Sequence, residues 1–139
     1  MALDGSEQAE GAVPFAQELA RQLALPLHLV RVVDGAEIPG LSQPGKPDPL
    51  EGELVAAQFR TLEYLTRVCT RLSERGLTVT TEVRRGRAGY QLLAATQAGD
   101  LVIIVATGRG VFHSGLGSVT YAVLGRARVP VLVVPRDEN

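Results

Sequence analysis

The unbroken apolar run Leu-Val-Ile-Ile-Val-Ala at 101–106 constrains the fold most. No polar side chain interrupts it, so neither face can be given to water. A strand covered on both faces is what a parallel sheet provides. Thr107, Gly108, Arg109 and Gly110 end the run. Gly117 and Ser118 follow after a six-residue gap, and apolar spacing resumes at Val119, Ala122 and Val123. The pattern predicts a strand, a glycine-rich loop and a helix start. Ser118 is expected as the N-cap, its hydroxyl accepting a hydrogen bond from an amide of the first turn. Such a loop suits an anion, because bare amides point outward, the helix dipole is positive there and no Cβ blocks close approach.

The rest of the chain alternates in the same way. Asp4-Gly5-Ser6 follows a very short apolar start, and Asp4 or Ser6 can cap what comes next. Ala9, Ala12, Val13, Ala16, Leu19, Ala20 and Leu23 recur at helical spacing. Pro14 is expected to kink or distort that helix unless it lies in its first turns, and Pro26 to close it. Residues 27–33 read as a strand. Residues 34–49 hold four prolines and three glycines, so a long, mobile loop is expected. A long helix is predicted over 50–75, with Leu54, Leu62, Leu65, Cys69 and Leu72 as its buried stripe and Gly76 as its left-handed stop. Alternation at 77–83 predicts a half-exposed edge strand. A shorter helix is expected over 88–98, and a last strand over 129–134. Strands alternating with helices imply a parallel sheet with helices on both faces. Ligands of such sheets sit at the carboxyl ends of the strands.

Length and composition narrow the classes. A chain of 139 residues with 45% hydrophobic and 21% charged residues is expected to form one domain spanning 1–139. A formal charge of −1 gives no field that would draw it to nucleic acid or to a membrane surface. One cysteine excludes an internal disulfide, and the apolar stripe makes Cys69 a small core residue. No signal peptide or membrane-spanning run is visible, so a cytoplasmic protein is the expectation. His113-Ser114 lacks a third, orienting group for nucleophilic catalysis. Gly45-Lys46 is followed by Pro47 and is no phosphate-binding P-loop. Neither zinc-ligand spacing nor Gly-x-Ser-x-Gly occurs.

Asp4-Gly5-Ser6, Val32-Val33-Asp34, Gly110 with Gly117-Ser118, and the closing Val-Pro-Val-Leu-Val-Val at 129–134 together resemble the universal stress protein family over nearly the whole chain. The resemblance implies a Rossmann-like α/β open sandwich: a five-stranded parallel sheet in order 3-2-1-4-5, usually as a homodimer. It divides members into those that bind ATP and those that do not. The binding members carry Gly-x-x-Gly, nine residues, then Gly-Ser or Gly-Thr. Here Thr107 stands at the first glycine with Gly108 beside it, Gly110 matches the second, and six residues lead to Gly117 and Ser118. By this resemblance Asp4 contacts the nucleoside and Val33 lies beside the adenine. Only three residues precede Asp4 where the family shows five or six, which a truncated start would explain.

Two functions follow as expectations. The first is a stress-response regulator that binds ATP or another adenine nucleotide, with or without Mg²⁺. Its site would comprise Asp4, Val33, Thr107, Gly108, Arg109, Gly110, Gly117, Ser118 and Val119. The second is a dimeric interaction module that binds no nucleotide. In both, strand 129–134 forms the homodimer, and protein partners are unnamed. Neither reading expects a catalytic residue; a weak ATPase is the most enzymatic outcome.

Overall fold

The computed structural model describes residues 1–34, 51–106 and 116–135. Helices α1 (Glu7–Gly11) and α2 (Val13–Leu23) are followed by β1 (Leu27–Val33), α3 (Glu51–Ser73), β2 (Val79–Arg85), α4 (Ala88–Ala94), β3 (Val102–Val105), α5 (Ser118–Arg126) and β4 (Val131–Val134). The expected 34–49 loop lies outside the described residues, apart from Asp34.

The strand pairs are parallel: β1 lies beside β2 and β3 beside β4. Residues 1–3 join the two pairs. Ala2 bridges Val30 in parallel, and its N–H donates to the Ile103 carbonyl at 2.9 Å. The Leu3 N–H donates to Val30 O, and the Val30 N–H to Met1 O, each at 2.9 Å. The elements therefore lie side by side as β2, β1, residues 1–3, β3, β4. The expected first strand is reduced to a single bridge, because three residues reach only one pairing before Gly5 turns the chain at φ +81°.

Pro14 has no N–H to offer the Glu10 carbonyl, and the expected first helix is divided there. The break falls at Ala12, and Pro14 occupies the first turn of α2. Ser6 caps α1 by accepting from the Ala9 N–H at 3.1 Å. Residues alternate across each strand. Leu27 and Leu29 of β1 face a core of Ala16, Ala20, Leu65, Val68 and Leu72 from α2 and α3, where Leu29 and Leu65 are 0% exposed. The opposite face meets α4 and α5, which pack closely enough that a Cβ on Gly89 would lie 3.1 Å from that of Ala122.

The uncovered part of that second face carries a polar ladder. His28 bonds Thr80 through Nδ1 at 2.7 Å and Glu82 through Nε2 at 3.0 Å. Arg84 donates to Glu82 at 2.5 Å and to Gln91 at 2.9 Å. Bonding to His28, with help from Arg84, holds the Glu82 carboxyl below its ordinary value, against partial burial. A carboxylate depressed in the fold adds stability above its unfolded pKa and loses it as pH falls through the folded one. Glu82→Gln should therefore flatten the acid limb of a stability–pH profile below about pH 4.5, read by urea unfolding. An unchanged limb would show that the ladder does not couple to folding.

Candidate functional site

The carboxyl ends of the central elements enclose a cavity of about 250 Å³. Three pieces of chain build it. The first is the turn after residues 1–3, which presents Asp4. Its Oδ1 accepts from the Ser6 N–H at 2.8 Å and the Ser6 hydroxyl at 2.6 Å. Both bonds fall on one oxygen, and the other makes no hydrogen bond to the described residues. Gly5 permits the turn twice over. Its φ is positive, and a Cβ there would sit 2.7 Å from the Arg31 guanidinium, which itself lies over the Tyr64 ring at 5.2 Å. Burial, reinforced by Glu10, pushes the Tyr64 phenol up to about 12, so this support stays uncharged at the ring.

The second piece is the start of α5. Gly117 is its N-cap at φ 75°, ψ 154°, a conformation essentially confined to glycine. No side chain caps this helix. The amides of Ser118, Val119 and Thr120 precede the first intrahelical bond, which runs from the Tyr121 N–H to Gly117 O at 3.1 Å. They are open to a ligand at the positive end of the dipole. The sequence reading placed the cap one residue late: Ser118 is the first helical residue and caps nothing. Thr120 is buried and donates its hydroxyl to Val105 O at 3.4 Å, tying α5 to β3.

The third piece is apolar. Leu3, Ala9, Val32, Ala88, Leu92 and Ile104 supply walls with no hydrogen-bonding demand. Of the sequence-derived residues, Asp4, Gly117, Ser118 and Val119 line this one cavity. Val33 does not: it is buried and turned to the other face of β1, and Val32 lines the cavity instead. Thr107, Gly108, Arg109 and Gly110 lie outside the described residues. Ala88 and Leu92 of α4 were missed, since nothing in an apolar helical pattern distinguishes a cavity wall from core.

Ser6→Ala removes both the α1 cap and one support of Asp4, and should cost about 1 kcal/mol in urea unfolding. A cost below ~0.3 kcal/mol would mean that the cap bond is replaced by water. Among the described residues no cluster of His, Cys, Asp and Glu could hold a metal ion, and no helix is long and apolar enough to cross a membrane.

No curated protein matches the chain. A universal stress protein family structure from Burkholderia pseudomallei is 29% identical at a TM-score of 0.70, covering 96% of this chain and 92% of its own. A universal stress protein solved in complex with cAMP is 18% identical at a TM-score of 0.66, covering 97% and 93%. The universal stress protein from Archaeoglobus fulgidus, solved in complex with dAMP, is 19% identical at a TM-score of 0.61, covering 95% and 92%. The profile of the universal stress protein family matches residues 1–135. The alternating parallel α/β architecture, the turn at Asp4 and the glycine-capped α5 thus stand in a chain that belongs to the universal stress protein family.

Proposed function

We propose that the chain binds an adenine nucleotide in the cavity between Asp4 and the start of α5. One observation carries the reading: a single cavity joins a carboxylate oxygen free to accept, apolar walls and an uncapped helix N-terminus. These match the three parts of a nucleotide in turn. The ribose hydroxyls donate to Asp4, the base lies against Val32 and Leu92, and phosphate meets the amides of Ser118 and Val119. Two family structures hold adenine nucleotides, cAMP and dAMP, and the same chemistry serves both. ATP fits the reading as well as a monophosphate does. Any Mg²⁺ would come in on the phosphate oxygens and keep several of its waters, since no protein cage is present among the described residues.

Asp4→Ala should weaken binding ~10-fold or more, the worth of a hydrogen bond to a charged acceptor. The identity test is the mass of small molecules released when purified protein is denatured. An adenine nucleotide near one per chain supports the reading. Nucleotide-free protein that also fails to take up added nucleotide would favour the interaction-module reading.

A homodimer through strand 129–134 belongs to the same proposal. Among the described residues β4 is paired on its β3 side alone, and all four of its residues are half-buried. Unpaired strand edges are liabilities unless covered. A two-fold copy would cover this one. Sedimentation should show a dimer at micromolar concentration, and a monomer would contradict this part of the proposal.

A further inference from the structure

Alternation along β1 puts Leu27, Leu29, Arg31 and Val33 on the face covered by α2 and α3. The three apolar residues are buried, and Arg31 stands half-buried among them. A guanidinium stays charged, and a charge taken out of water calls for a partner. Among the described residues Arg31 makes no hydrogen bond and no ion pair. Its contacts are of another kind. Its Cζ lies 5.2 Å from the centroid of the Tyr64 ring, within reach of cation–π attraction. Its Nη1, Cζ and Nη2 also lie 2.7, 2.9 and 3.0 Å from where a Cβ on Gly5 would stand. Tyr64 is 9% exposed and packs in the core with Leu29, Leu65 and Val68, which fixes the ring that holds the guanidinium.

Val32, the next residue, faces the cavity. Arg31 and the cavity therefore lie on opposite faces of the sheet. The Asp4–Gly5 turn is what they share: Asp4 lines the cavity, and Gly5 rests against the guanidinium. Few other contacts hold this turn. The Leu3 N–H donates to Val30 O, and neither the Asp4 nor the Gly5 N–H makes a backbone hydrogen bond to the described residues. What remains is the pair of bonds from Ser6 to Asp4 Oδ1 and the side chain of Arg31.

We propose, resting on the nucleotide reading of the cavity, that Arg31 is a positioning residue: held by Tyr64, it fixes the Asp4–Gly5 turn in the shape that presents Asp4 to the nucleoside. Arg31 acts through Asp4 and touches no nucleotide. It raises the fraction of molecules in which Asp4 is already in place, and the apparent Kd is the intrinsic Kd divided by that fraction. A turn that held the right shape only about one-fifth of the time would bind ~5-fold more weakly. The Arg31 charge also pulls on phosphate from a distance, an effect that does not pass through Asp4.

Calorimetric titration with AMP on the wild type, Arg31→Met, Asp4→Ala and the double variant separates the two effects. Arg31→Met should weaken binding ~5-fold with Asp4 in place, and under ~2-fold once Asp4 is alanine. An equal loss in both backgrounds would assign the effect to the field of the charge and overturn the proposal, as would no loss at all. A second readout needs no nucleotide: exchange of the Ser6 amide with water, which the bond to Asp4 slows. NMR should find that exchange ~5-fold faster in Arg31→Met. Tyr64→Leu should reproduce both changes, and Tyr64→Phe, which keeps the ring, should restore the wild-type values. Unchanged Ser6 exchange in Arg31→Met would overturn the proposal even in a protein that binds AMP. Faster exchange in a protein that binds no nucleotide would sink the nucleotide reading alone and leave Arg31 as the residue that holds the turn.

Discussion

Gly117→Val should weaken adenine-nucleotide binding by ~100-fold or more, while Gly125→Ala, eight residues further along, should leave it unchanged. The valine acts twice. Gly117 sits at φ 75°, ψ 154°, a region that costs a side chain on the order of 1–3 kcal/mol. Relieving that strain rotates the very amides that would hold phosphate, and the added methyls would crowd the place the proposal gives to phosphate. Gly125 lies inside α5 with nothing within 4 Å of an added Cβ. Alanine there should stabilise the helix by up to ~1 kcal/mol, so the pair separates damage to the site from damage to the helix. Calorimetric titration with AMP reads both variants. Equal affinity in Gly117→Val would remove phosphate from the start of α5.

Leu65→Ala should cost about 2–5 kcal/mol in urea unfolding. Leu65 is 0% exposed and sits where α3 crosses the β1 face, against Leu29 and the small residues of α2. The alanines opposite have no spare atoms to move into the hole, which places the cost in the upper part of the range. A domain of this size holds only about 5–15 kcal/mol in all, so the variant should unfold at markedly lower urea. Leu62→Ala, on the same helix but 46% exposed, should cost under ~1 kcal/mol. Similar costs at the two positions would mean that the packing face of α3 is misplaced.

Those two leucines also show how far the sequence could be read. The apolar run at 101–106, the disturbance of the first helix by Pro14 and the alternation of elements were legible, because each depends on local chemistry. The face of α3 was legible only in part, with Leu65 and Leu72 in the expected stripe and buried. Counting apolar residues put Leu62 inside, whereas the buried line runs through Thr61, Tyr64, Leu65, Val68 and Leu72. Thr61 and Tyr64 look like surface residues until a neighbour covers them. Val33 came from the family resemblance rather than from the pattern, and Val32 lines the cavity instead. Which of two adjacent valines faces the cavity depends on strand parity, and parity is fixed by the Ala2–Val30 pairing, a long-range fact. The helix expected over 88–98 stops at Ala94. There the Thr96 hydroxyl donates to Leu93 O at 2.7 Å and Asp100 accepts from the Gln97 N–H at 2.8 Å, folding the tail into a turn. Asp4, Gly117 and Ser118 could be placed at a turn and at a helix start because special backbone chemistry leaves a mark in residue type. The apolar walls of the same cavity leave none.

Titration calorimetry of the unaltered protein, stripped of any carried ligand, with AMP, ADP and ATP in turn tests the central claim most directly. The account predicts one site per chain with at least one of the three binding well below millimolar, and the same affinity lost ~10-fold or more in Asp4→Ala. Binding no tighter than millimolar for all three, in protein that is folded by circular dichroism, would contradict it.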